Sequence, residues 1–145
     1  MRIAKGQRPP SIYAFAAMFL VAALHAYVTG LQNLDLKQMA LAATVPVPVP
    51  AEAWNRDWTI VTLSAIFSIA FIPVAWIVLF ASRVAFWLVT VFTLWGLSGA
   101  PQAISAFYSL TGTVGWRVMI EPVLLLAALL CLWLPASRAW IKEKR

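Results

Sequence analysis

The chain of 145 residues is too apolar to form the surface of a water-soluble protein. Hydrophobic residues make up 63% of it and charged residues 11%, and its mean hydropathy is +0.85. A soluble domain carries roughly 25% charged residues. The formal charge of +6 comes from Lys and Arg residues at the ends of apolar segments, whereas a nucleic-acid-binding protein gathers them on one exposed face. These features predict an integral membrane protein with one membrane domain over residues 1–145, and they exclude nucleic acid as a partner.

The sequence predicts an all-α fold, a bundle of four transmembrane helices. A helix needs about 20 mainly apolar residues to cross the hydrocarbon core of a bilayer. The predicted spans cover about residues 11–30, 58–80, 84–100 and 118–135. Pro73 lies inside the second span, where a proline removes a backbone donor and is expected to kink the helix. The third span is barely long enough to cross.

The first span follows a basic leader with Arg2, Lys5 and Arg8. A secretory signal peptide has the same order of charge and apolar residues. Its apolar core is however about 7 to 15 residues long, and here the apolar run continues for about 18 residues to Val28 without a small-residue cleavage site. We therefore predict a retained transmembrane helix.

Two outer loops are predicted, over residues 31–57 and 101–117. The first contains a weakly amphipathic segment over 33–44, which suits a short interfacial helix. It is followed by a Val-Pro repeat over 45–50, which predicts a stiff polyproline-type spacer. In the second loop, apolar residues recur at helical spacing over 102–110. This segment is expected either to lie along the membrane surface or to extend the third helix.

The distribution of basic residues predicts that both termini are cytoplasmic. With that orientation, eight Lys and Arg residues lie on the inner side and three on the outer side, which is the bias seen in membrane proteins. The inner ones are Arg2, Lys5, Arg8, Arg83, Arg138, Lys142, Lys144 and Arg145, and the outer ones are Lys37, Arg56 and Arg117. Tryptophans favour the two interfaces, and four of the eight fall near each. The predicted location is a bacterial-type inner membrane, with the anionic lipids of its cytoplasmic leaflet as partner.

Three ionisable residues form the candidate polar site, because charges inside a membrane are costly and usually serve a function. His25 and Glu121 lie roughly 7 Å and 6 Å below the outer ends of the first and fourth helices. Arg117 precedes Glu121 by four residues, so the two can form an ion pair within one helix. In a purely structural interpretation, Arg117 reaches the headgroups and neutralises Glu121, while His25 bonds to Thr29 or a neighbouring helix. In a functional one, the three line an outward-facing pocket for a proton or a small ligand, or contact a partner subunit.

No cofactor and no metal are predicted. Haem ligation by two histidines is impossible in a chain whose only histidine is His25, so Met18, Met119 or another subunit would have to supply the second ligand. A catalytic zinc requires three convergent ligands. The sequence has no phosphate-binding loop, dinucleotide motif or carboxylate pair. A non-enzymatic protein is therefore expected.

Small residues at a spacing of four, such as Ala22, Ala26 and Gly30, allow helices to approach closely in a membrane. They either seal the bundle itself or join it to another subunit or a second copy of the chain. The first functional hypothesis is a non-enzymatic accessory or interaction subunit. The alternative is a small transporter or ligand-binding protein with its polar site at the outer ends of the first and fourth helices.

Overall fold

The computed structural model describes residues 7–35, 55–98, 100–109 and 113–143, and these ranges are helical apart from short connections. The helices are α1 (Pro10–Gln32), α2 (Arg56–Phe80), α3 (Arg83–Leu97), α4 (Ala100–Ser109), α5 (Thr113–Trp133) and α6 (Pro135–Glu143). The Val-Pro spacer and most of the predicted interfacial helix lie outside the described residues.

Three of the helices are long and apolar enough to cross a membrane, namely α1, α2 and the part of α5 from Trp116 to Trp133. The described residues are therefore all-helical, and their long apolar helices are those of an integral membrane protein. Helix α3 is apolar but has only 15 residues, a length of about 22 Å against a hydrocarbon core of roughly 30 Å. The segment over 102–110, left open between two interpretations, belongs mostly to α4.

The long helices pack antiparallel to their neighbours. Tyr27 near the end of α1 stacks on Phe67 of α2, whereas Arg8, just before α1, donates a hydrogen bond to the carbonyl of Val78 near the end of α2. The indole of Trp133, at the end of α5, bonds to Thr90 in the middle of α3, whereas Gly96 near the end of α3 faces Leu125, earlier in α5. Helix α5 packs against α1, α3 and α4, and α2 packs against α1 and α3.

Different segments of the chain lie at the two ends of this bundle. One, the Arg8 end, holds the start of α1, the α2–α3 turn and α6, since the hydroxyls of Ser11 and Ser137 lie 2.7 Å apart. The other, the Gly30 end, holds the end of α1 and the start of α2, where Gly30 faces Leu63. Buried apolar residues of five helices form the core toward the Arg8 end, including Ile12, Phe15, Ile77, Val89, Leu132 and Trp140.

The turn between α2 and α3 consists of Ala81 and Ser82, since Arg83, which lay before the predicted third span, is already the first residue of α3. Ala81 adopts the left-handed conformation, with φ 50° and ψ 40°, and its N–H bonds back to the carbonyl of Ile77. The carbonyl of Val78 accepts the side-chain N–H of Arg8 at 2.7 Å, so a cation lies at the negative end of the α2 dipole. Ser82 then caps α3 by accepting from the N–H of Ala85.

Candidate functional site

A cavity of about 330 Å³ lies between α1, α2 and α5. We call it the Glu121 cavity, because Glu121 is the only Asp, Glu, Lys, Arg or His residue among those that line it. The others are apolar or aromatic: Phe19, Ala22, Ala23, Ala26, Tyr27, Leu63, Ile66, Phe67, Ala70 and Leu125. A carboxylate therefore faces a space whose walls are otherwise mainly hydrocarbon.

The space arises from the small side chains of α1. Ala22, Ala23 and Ala26 recur on one face of the helix and leave room that longer side chains would fill. Toward the Gly30 end α1 and α2 approach closely. A Cβ at position 30 would lie only 3.1 Å from both Cδ atoms of Leu63. The small-residue stripe predicted on α1 therefore works inside the bundle at Gly30, and its alanines line the cavity.

One wall of the cavity is aromatic. The rings of Tyr27 and Phe67 stack with centroids 5.2 Å apart, and Phe71 meets Phe67 edge-on at 5.2 Å. The Tyr27 hydroxyl lies 3.3 Å from Oγ of Ser64. Ser64 donates its only hydroxyl proton to the carbonyl of Ile60, so Tyr27 is the donor in this pair. Its ring is thereby held against α2.

Glu121 is half-buried and precedes Pro122, across which α5 continues. A proline inside a helix has no N–H for the carbonyl four residues earlier, which here belongs to Val118. Pro73 was the proline predicted to disrupt a helix, and Pro122 was not among the predicted features. The signal in the sequence that could have indicated Pro122 was the Glu121-Pro122 pair inside an apolar run.

His25 and Arg117, the other two candidates, do not line the Glu121 cavity. Arg117 is exposed, and in the part of the chain that the structure describes no ion pair joins it to Glu121. His25 is half-buried, and its Nδ1 is buried with no hydrogen-bond partner among the described residues. Thr29 does bond to His25, but its hydroxyl donates to the backbone carbonyl at 2.7 Å and not to the ring.

Tyr27 and Phe67 were not among the predicted site residues. Both are aromatic residues inside predicted spans, where such residues are common, and only the pairing of α1 with α2 brings them together. Within ranges 7–35, 55–98, 100–109 and 113–143, no three His, Cys, Asp or Glu residues cluster so as to hold a metal ion.

Comparison with protein-family models, with curated proteins and with solved structures finds no match to this chain.

The Glu121 cavity combines a carboxylate, an aromatic wall and an apolar lining. Such a combination can hold a small organic cation, because the carboxylate supplies the opposite charge and aromatic rings attract cations through their π faces.

Proposed function

We propose that the protein crosses the membrane four times, through α1, α2, α3 and α5, with the Arg8 end on the cytoplasmic side of a bacterial-type inner membrane. Two observations support this topology. The four helices alternate in direction around the bundle, and Arg8, Arg83, Arg138 and Lys142 all belong to the Arg8 end. In this arrangement α3 completes its crossing together with the adjoining α4.

Within this topology, we propose a non-enzymatic protein that binds a small organic cation in the Glu121 cavity, as a transporter or a ligand-binding module. The observation that carries the proposal is the half-buried carboxylate in an otherwise apolar cavity. An ionisable side chain at membrane depth is costly, and such residues usually mark a site. A cationic ligand would neutralise the carboxylate inside the bundle.

The dimensions of the cavity limit the ligand to a small one. Its volume of about 330 Å³ is at the lower end of the range of roughly 300 to 1,000 Å³ for ligand sites. The stacked rings of Tyr27 and Phe67 favour a cation with an apolar or aromatic body. Benzyltrimethylammonium has both properties and serves as the probe.

The test is calorimetric titration of benzyltrimethylammonium into the purified protein in lipid nanodiscs. We expect Glu121→Gln to weaken binding at least tenfold, because it removes the charge and keeps the shape. Glu143→Gln is the matched control, since Glu143 is an exposed carboxylate on α6 at the Arg8 end and its loss should leave binding unchanged. Equal binding by the wild type and Glu121→Gln, or no binding by the wild type, would refute the proposal.

The second candidate is the accessory or interaction subunit, in which a helix of another subunit covers the Glu121 cavity. It is favoured by the exposure of the rim, because Ile66 lines the cavity and is 56% exposed. The cavity therefore opens toward the side of the bundle. A partner helix with a Lys or Arg at this depth would neutralise Glu121 in the same way as a ligand.

Gentle-detergent purification distinguishes this candidate from the first. If the protein is an interaction subunit, a stoichiometric partner co-purifies with the wild type and is lost with Glu121→Gln, while the variant keeps the thermal stability of the wild type. A chain that purifies alone and binds the cation excludes this candidate and supports the first.

A further inference from the structure

A second cavity, of about 210 Å³, lies at the Arg8 end between α3 and α6. We call it the basic pocket. It is lined by Arg83, Phe86, Trp87, Arg138, Ile141 and Lys142. Three of these six residues are cations and none is acidic, which distinguishes the pocket from the Glu121 cavity.

The aromatic side of the basic pocket is built on Trp133. Its indole N–H donates to the hydroxyl of Thr90 at 3.2 Å, and its ring contacts both Phe86 and Trp87, with centroids 5.4 Å and 5.9 Å away. The guanidinium of Arg138 lies over the same ring, 5.4 Å from its centroid. Arg138 is therefore positioned by a cation–π contact.

The cations reach the pocket from two helices. Arg138 and Lys142 are four residues apart on α6 and so share one face. Arg83 is the first residue of α3, where the helix dipole adds positive potential. Three like charges around one space repel each other, and the attraction of an anion placed between them would offset this repulsion.

We propose that the basic pocket binds the phosphate group of an anionic phospholipid. Guanidinium groups hold phosphate oxygens through paired hydrogen bonds, and basic pockets between helices at the cytoplasmic face bind anionic headgroups. A lipid fits better than a soluble phosphate because Trp87 lines the pocket and is 58% exposed. In a membrane, tryptophan in such a position lies at headgroup level, so acyl chains could extend along α3.

The test is native mass spectrometry of the delipidated protein in detergent with phosphatidylglycerol, phosphatidylcholine or inorganic phosphate added. We expect retention of one phosphatidylglycerol per chain, with at least tenfold weaker retention of phosphatidylcholine, whose choline repels the basic lining. Lys142→Gln and Arg83→Gln should each weaken retention of phosphatidylglycerol several-fold. Arg56→Gln is the matched control, because Arg56 is an exposed cation at the start of α2 in the Gly30 end.

Lys142 and Arg83 are preferred to Arg138 for this test, because their removal leaves the contact between Arg138 and Trp133 intact. Thermal unfolding of each variant without lipid checks that it folds. Retention of the lipid by Lys142→Gln and Arg83→Gln at the level of Arg56→Gln would overturn the proposal. Saturation of the pocket by inorganic phosphate with the affinity of the lipid would overturn the assignment to a lipid.

Discussion

Thr90 forms hydrogen bonds to two helices through one hydroxyl. It donates to the carbonyl of Phe86 at 2.8 Å and accepts the indole N–H of Trp133 at 3.2 Å. The residue is 4% exposed, and inside a membrane no water replaces a lost partner. The ring of Trp133 contacts the guanidinium of Arg138 and the rings of Phe86 and Trp87. The hydroxyl of Thr90 therefore also positions the wall of the basic pocket.

We predict that Thr90→Val lowers the free energy of unfolding by about 1–3 kcal/mol, because the indole N–H of Trp133 is left without an acceptor. Thr90→Ser keeps the hydroxyl and should stay close to the wild type. Thermal unfolding in detergent measures both. Thr62→Val is the control, since the hydroxyl of Thr62 bonds to the carbonyl of Trp58 in its own helix. Equal losses at positions 62 and 90 would contradict the prediction.

Two glycines in the last turns of their helices differ in the space around them. A Cβ at Gly30 would lie 3.1 Å from the Cδ atoms of Leu63, whereas a Cβ at Gly96 would lie 3.4 Å from Cδ1 of Leu125. The first distance requires the buried Leu63 to move, and the second is close to an ordinary contact.

We therefore predict different effects of the same substitution at the two glycines. Gly96→Ala should raise the melting temperature, because alanine is favoured over glycine in a helix by about 0.5–1 kcal/mol. Gly30→Ala should gain nothing or lower it, because the displacement of Leu63 offsets that advantage. The comparison is made by thermal unfolding of both variants in one detergent. A higher melting temperature for Gly30→Ala than for Gly96→Ala would show that α1 and α2 do not pack closely at Gly30.

At the scale of the elements, the junction of α5 and α6 shows how a proline creates a need for a side-chain donor. Pro135 has no N–H, so the carbonyl of Cys131 lacks its usual helical partner. The hydroxyl of Ser137 donates to that carbonyl at 2.8 Å. Since this uses its only proton, Ser11 is the donor in the 2.7 Å contact between the two serines. Ser137 thus joins α1, α5 and α6.

We predict that Ser137→Ala lowers the free energy of unfolding by about 1–3 kcal/mol, since the fully buried hydroxyl satisfies Cys131 and Ser11 together. Ser68→Ala is a matched control, because Ser68 is exposed and its hydroxyl bonds to the carbonyl of Ser64 in its own helix. Chemical or thermal unfolding of the two variants provides the comparison. Losses of the same size would mean that the α5–α6 junction does not depend on Ser137.

Much of the helical architecture was predictable, because a run of apolar residues long enough to cross a bilayer is a strong local signal. The position of the break between α3 and α4 was harder to predict. The predicted third span continued to residue 100, whereas α3 ends at Leu97 and α4 begins at Ala100. Glycines and a proline near this point signalled an end to the span, but helix boundaries follow from tertiary packing as well as from local sequence.

Of the residues that line the candidate site, only Glu121 could be predicted from the sequence. Glu121 stood out because an ionisable residue within a span is costly. Tyr27, Phe67 and the alanines of α1 did not, because the cavity exists only where three helices meet. Sequence spacing places residues on one face of a helix but does not say which helix that face contacts. The grouping of His25 and Arg117 with Glu121 stays a prediction.

At the scale of the whole molecule, the contacts bring the start of α1 and the end of α5 to one end of the bundle. Arg8, Arg83, Arg138 and Lys142 lie there, whereas Arg56 and Arg117 belong to the opposite end with Asp57. The asymmetry of charge read along the sequence is therefore also an asymmetry of the folded chain. A membrane that contains anionic lipids would favour the Arg8 end on its cytoplasmic side.

The proposed orientation can be tested by labelling one introduced cysteine at a time in intact cells with a membrane-impermeant maleimide. Thr44→Cys, in the predicted outer loop, should react from outside. Gln7→Cys, at an exposed position of the Arg8 end, should react only after lysis. The wild type, whose single Cys131 is half-buried in α5, gives the background. The reverse pattern would show that the topology is inverted. Labelling of both positions from outside would show that α1 does not cross the membrane.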